Sequence, residues 1–147
     1  MRKILVLTAV LLSFGPAAAG DLDRAMTALR PDAIVWRDAS GMPGLQYAIV
    51  SGNPQQAGPY TVRVKFSPGS MSRPHWHPER RFITVLQGTW WAGAGEIFDP
   101  AGTVPLPAGS FITHHPFEVH FDGAKDEEVI VQISGIGPSA TNFVEPR

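Results

Sequence analysis

The 147-residue chain contains no cysteine. That absence excludes disulfides, thiolate metal ligands, a cysteine nucleophile and a lipid-modified N-terminal cysteine. Any metal must rest on nitrogen and oxygen donors, and an exported fold must be held by its core, by metal or by a subunit partner. Charge is sparse and balanced: 12 Lys and Arg face 13 Asp and Glu, for a formal net charge of −1. No run of Lys or Arg could follow a phosphate backbone, so nucleic-acid binding is excluded. Long apolar runs are missing as well. The one candidate, Ile4 to Phe14, is shorter than the ~20 residues that span a bilayer.

That N-terminal stretch has the layout of an export signal. Arg2 and Lys3 precede the apolar run, and Ala17-Ala18-Ala19 supplies small residues for cleavage, so residues 1–19 are expected to be removed before Gly20. There is no twin-arginine pair, so the chain is expected to cross the membrane unfolded and to take up metal afterwards. The expected location is periplasmic or secreted, without membrane association after processing. Roughly 130 residues then remain, enough for one domain with a real core.

Residues 20–58 are expected to carry a short helix and the first strands. Asp21 is a suitable N-cap; Leu22, Ala25, Met26 and Leu29 share a face; Pro31 stops the helix. Ile34–Arg37 and Leu45–Val50 read as strands around the turn Ser40-Gly-Met-Pro-Gly44. Tyr60, Val62, Val64 and Phe66 alternate with Thr61, Arg63 and Lys65, the pattern of a half-buried antiparallel strand. Further strands are expected at Phe82–Leu86, Thr89–Ala92, 103–106, 110–113, Val119–Phe121 and Glu128–Ile133, with Asp122-Gly123 as a hairpin turn. Residues 59–134 thus form the core, and 135–147 a tail that packs across it. Many short strands with turn signals every eight to twelve residues indicate an all-β sandwich or barrel. Of the adjacent Trp90 and Trp91, one is expected in the core and one outside, where it would suit a homodimer.

All five histidines lie between residues 69 and 120. His75 and His77 in the segment His75-Trp-His77-Pro-Glu79 point the same way if extended, and His120 arrives from a distant strand. Three neutral imidazoles inside a barrel suit one divalent transition metal, with Fe, Mn, Zn, Ni and Cu all compatible with nitrogen and oxygen donors.

These residues resemble the cupin superfamily. Its first motif runs Gly, five residues, His-x-His, three or four residues, Glu, six residues, Gly; here Gly69, His75, His77 and Gly88 match. The second motif, Pro-x-Gly followed by a histidine, is matched by Pro107-Ala-Gly109 and His120. The resemblance covers about residues 60–133. It implies a single-domain jelly-roll β-barrel and a metal held by His75, His77 and His120. One departure stands out: Arg81 occupies the slot of the usual glutamate ligand, and a cation cannot be a ligand. Glu79 shares parity with the first two histidines, provided Pro78 leaves the strand regular, and Glu118 shares parity with His120. Either could complete the site, or three histidines could leave positions for water or substrate.

Glu118 and His114 are the candidates for proton transfer. His115, next to His114, faces the opposite way if extended. Arg81 pairs with an acid such as Glu79, or faces the cavity and receives a substrate carboxylate. The leading functional expectation is a metal-dependent enzyme acting on a small organic molecule. Small-molecule binding or sensing without turnover, and a barrel merely stabilised by metal, are the alternatives; the fold does not choose the reaction.

Overall fold

The computed structural model describes residues 26–145, so the expected signal peptide lies outside the described residues. The chain divides at Arg30 and Pro31. Before the division, residues 26–30 are exposed and have no helical hydrogen bonding, so the described part of the helix expected over 21–29 is not helical. The nearest helical turn is a 3-10 turn at Pro31–Ala33. Pro31 opens that turn instead of stopping a helix, since the first helical position needs no N–H donor.

From residue 31 onward eleven strands follow: β1 (Arg37–Asp38), β2 (Leu45–Ser51), β3 (Gly58–Phe66), β4 (His75–Trp76), β5 (Arg81–Gln87), β6 (Thr89–Ala94), β7 (Val104–Pro107), β8 (Phe111–His114), β9 (His120–Gly123), β10 (Val129–Gly137) and β11 (Asn142–Phe143). They build two antiparallel sheets in the orders β1-β2-β3-β10-β5-β8 and β11-β4-β9-β6-β7. The all-β jelly-roll architecture matches the expectation. Of the strand expected at Ile34–Arg37, only Arg37 is paired.

Alternation explains the core. In β3, Tyr60 and Phe66 are buried. On the opposite face Arg63 donates to Gln132 Oε1 at 3.1 Å, and the Lys65 ammonium lies 4.3 Å over the Trp36 ring. In β5, Ile83 and Val85 are fully buried whereas Phe82 and Leu86 are exposed, so this apolar strand still has two distinct faces. Together with Leu45, Phe66, Trp90, Ala124, Val129 and Val131 they form one cluster fed by both sheets. Trp90 is the inward tryptophan. Trp91 lies beneath the Lys125 ammonium, 3.7 Å from its ring centre.

Two glycines are fixed by the fold. Gly88 has φ +72° between β5 and β6, and a Cβ there would meet the Glu128 carbonyl. Gly123 corrects an expectation. Asp122-Gly123 is not a turn but the buried end of β9, and the loop follows over 124–128. Residues 70 and 71 run so close to Gly123 that a Cβ would lie 2.5 Å from Met71 Cα. The glycine therefore serves close backbone approach, not a reversal of the chain.

Candidate metal centre

Strand pairing brings the three expected ligands together. His75 and His120 are directly opposite in the β4–β9 pair. His77 follows β4 and turns back to the same side, its ring centre 4.8 Å from His75 and 5.1 Å from His120. The three are buried, and one nitrogen from each lies within 4.8 Å of the others.

The main chain fixes which nitrogen that is. His75 Nδ1 donates to the Arg73 carbonyl at 2.7 Å, His77 Nδ1 to Ala140 at 2.8 Å and His120 Nδ1 to Glu118 at 3.0 Å. A carbonyl only accepts, so each Nδ1 carries the proton and each Nε2 presents a lone pair. This outer anchoring is how metal-binding imidazoles are held in place. His120 Nε2 is buried with no hydrogen-bond partner. Burial lowers the pKa of all three; for His77 burial and the Arg81 charge bring it down to about 2. Neutral, converging and partly unpaired, the donor set fits a divalent transition metal.

Arg81 complicates the fit. Its Nε donates to Glu79 Oε1 at 2.8 Å, its Nη2 to Ser139 Oγ at 2.6 Å and its Nη1 to His77 Nε2 at 3.0 Å. The last contact uses the lone pair a metal would need, so binding through His77 requires the guanidinium to move away. Glu79 Oε1 also accepts from the Tyr60 hydroxyl at 2.9 Å. Burial pushes the Glu79 carboxyl up, but the Ser139 and Arg81 hydrogen bonds and the Arg81 charge outweigh it and hold the group low. Residues 77–80 lie outside any strand, so the parity that favoured Glu79 as a ligand is lost at Pro78. The carboxylate joins an ion pair with Arg81 and is absent from the converging donor sets.

The two proton-transfer candidates part ways. Glu118 is exposed, and its part in the site is played by the main-chain oxygen that holds His120. Residues 115–119 lie outside any strand and β9 begins only at His120, so the alternation on which the inward reading relied does not reach Glu118. His114 does enter the cluster. Its ring centre is 3.7 Å from that of His120, and its plane lies nearly parallel to His77 and 30° from Trp90. Burial and the neighbouring charges lower its pKa to about 2. His115 is exposed.

Asp122 was missed in the sequence. It sits two residues after His120 in β9, side chain inward, with Oδ2 3.9 Å from His120 Nε2. His114, His120 and Asp122 form a second converging group. Burial raises the Asp122 pKa against the opposing effects of His120 and Ser72. The signal was available: the parity that pairs His75 with His77 also pairs His120 with Asp122. His75, His77, His114 and Asp122 line a cavity of about 90 Å³ together with Trp90, Val131 and Ile133.

Residues 24–139 match the family described as the ChrR Cupin-like domain. No curated relative matches the chain. Among solved structures it resembles the polyketide cyclase RemF from Streptomyces resistomycificus, with 15% identity, a TM-score of 0.70, and 83% of this chain and 87% of that one covered. A cupin sugar phosphate isomerase from Silicibacter pomeroyi aligns at 17% identity and a TM-score of 0.64, covering 82% and 83%. The DMSP lyase DddQ from Ruegeria pomeroyi aligns at 15% identity and a TM-score of 0.63, covering 79% and 64%. At these identities the likeness establishes the fold.

Two outcomes follow. Replacing Arg81 by Met frees His77 Nε2, so Zn²⁺ affinity in a chelator competition should rise about tenfold or more; unchanged or weaker affinity would count against the proposed competition. In metal-free protein, His75, His77, His114 and His120 stay neutral in the fold below their ordinary pKa of 6.5, whereas the unfolded chain takes up protons there. Stability should therefore fall with pH below 6.5, with roughly two to four protons taken up on unfolding near pH 5.5. The raised pKa of Asp122 acts in the opposite sense and offsets part of this loss just above its ordinary value of 3.8. Melting curves in EDTA from pH 7.5 to 5 test it; a flat midpoint would contradict it.

Proposed function

Because the chain belongs to the ChrR cupin-like family, we propose that it is a metal-dependent enzyme acting on a small organic molecule at the centre built on His75, His77 and His120. The observation that carries the reading is the set of three Nδ1 anchors, which leaves three Nε2 atoms as the available donors of one cluster, that of His77 in contact with Arg81. The neighbours comprise a cyclase, an isomerase and a lyase, and they support small-molecule chemistry without selecting a reaction.

A divalent ion bound there would supply Lewis acidity to a carbonyl or carboxylate oxygen, or redox chemistry if it is Fe, Mn, Cu or Ni. The remaining work falls to the chain. The cavity, about 90 Å³, is far smaller than the roughly 300–1,000 Å³ of pockets that enclose drug-sized ligands. It admits only the reacting end of a substrate, and Trp90, Val131 and Ile133 keep bulk water from that end. His114 stays neutral, so it offers one N–H and one lone pair and can relay a proton between its two nitrogens. Arg81, once off His77, carries a charge that suits a substrate carboxylate.

Binding or sensing without turnover is the second reading. It is favoured by the exposure of Glu118, which leaves His114 as the single proton-transfer candidate put forward from the sequence. Export to the periplasm or beyond also belongs to this proposal, on the layout of residues 1–19. So does a homodimer: Phe82 and Phe111 are exposed and stacked 6.2 Å apart on the outer face of β5 and β8. Among the described residues, no helix is long and apolar enough to cross a membrane.

Elemental analysis of protein purified without chelators tests the reading. Near-stoichiometric transition metal, lost in the His75→Ala/His77→Ala variant, is expected. Once a turned-over carbonyl or carboxylate compound is found, His114→Gln should lower kcat about 100-fold with metal content intact. Wild type that takes up none of the five ions would contradict the metal centre, and an unchanged kcat would remove His114 from the chemistry.

A further inference from the structure

A dication on three neutral imidazoles has room for a fourth donor, which a water, a substrate or a carboxylate can supply, and Arg81 stands where the family pattern would put a carboxylate. We propose that Asp122 supplies that donor, so that the centre is His75, His77, His120 and Asp122. The inference rests on the metal-dependent reading above and deepens it.

The two nearby carboxylates are not equivalent. Glu79 is held by Tyr60 and neutralised by Arg81. Asp122 is the more deeply buried, and among the described residues its ion-pair partner within 4 Å is His120 alone. His120 is anchored through Nδ1 and directs an unprotonated Nε2 at the carboxylate. The gap of 3.9 Å is too long for a hydrogen bond. Two buried polar atoms therefore face each other without a hydrogen bond between them.

That spacing suits a shared cation. Donors each about 2.1 Å from a metal lie ~3.4 Å apart at the tetrahedral angle and ~4.2 Å apart when directly opposite. The 3.9 Å separation falls inside this range. Asp122 is also held at main-chain level: its N–H donates to Ser72 Oγ at 3.0 Å, and its carbonyl accepts from Ser72 N–H at 2.7 Å and from Ser72 Oγ–H at 3.0 Å. Ser72 precedes His75 by three residues, so the same contacts set β9 against the segment bearing the first histidine. Gly123 permits that approach. Asp122 converges with His114 and His120 and not with His75 and His77, so His120 is the donor common to both groups. A centre of His75, His77, His120 and Asp122 requires the carboxylate to close on the first group, and His114 is the competing fourth donor.

The test uses the full chain, with Zn²⁺ and Cu²⁺ as probes. Asp122→Asn preserves size and removes the charge; the Zn²⁺ Kd, measured against a competing chelator, should rise 10- to 100-fold. Glu79→Gln should stay within about threefold of wild type on the same scale. Cu²⁺ EPR of wild type should report three nitrogens and one oxygen, with no broadening in oxygen-17 water because that oxygen is a carboxylate. This measurement decides the matter even if Asp122→Asn does not fold. Four nitrogens would place His114 in the shell and overturn the proposal, as would a water oxygen or an unchanged Kd in Asp122→Asn. Wild type that binds neither ion would overturn the metal-dependent reading as well, a result distinct from metal binding indifferent to Asp122.

Discussion

Three hydrogen bonds from histidine Nδ1 to main-chain carbonyls govern the site. The carbonyls belong to Arg73, Glu118 and Ala140, in three separate stretches of chain. Each bond fixes a tautomer and a ring orientation together, so the direction of every Nε2 lone pair is set by backbone. A rotated or tautomerised imidazole would leave its buried donor or acceptor unpaired, which is costly at a buried site. The donor cluster is thereby formed in advance of any ligand. The penalty is three neutral imidazoles packed together, with His114 against them.

Charge then decides what such a cluster can accept. Arg81 places a cation beside His77 but is neutralised in the same step by Glu79. What remains is a buried carboxyl at Asp122 with no guanidinium or ammonium at ion-pair distance among the described residues, and a lone pair on His120 with no hydrogen-bond partner. Both are resolved by a positive charge between them. The electrostatics of the pocket and the geometry of its donors therefore call for the same kind of occupant.

Much of this was legible in the sequence, and the failures share a cause. Strand alternation located β3, apolar runs between turn residues located β2, β5 and β10, and His75-x-His77 with a distant His120 located three histidines that converge, because alternation and spacing are local properties of an extended chain. Asp122-Gly123 misled: the pair is a good turn by local chemistry, but Ser72 and Met71, some fifty residues earlier, hold it in a strand. Parity also failed where the strand stopped short, at Pro78 for Glu79 and before His120 for Glu118. The contact of Arg81 with His77 could not be foreseen either, since it depends on residues 139–140 of the tail, which β11 draws alongside β4. Local pattern gave the donors; long-range packing chose which carboxylate stands beside them.

The central claim is that the imidazoles of His75, His77 and His120 are neutral, protonated at Nδ1, and share an occupant through Nε2. Long-range ¹⁵N NMR of imidazole-labelled protein, recorded without metal and then with one equivalent of Zn²⁺, measures this directly. The expected result is three Nδ1–H tautomers in the metal-free protein, with the three Nε2 resonances shifting together when zinc is added. Nε2–H tautomers at any of the three, or Nε2 resonances that do not respond to zinc, would contradict it.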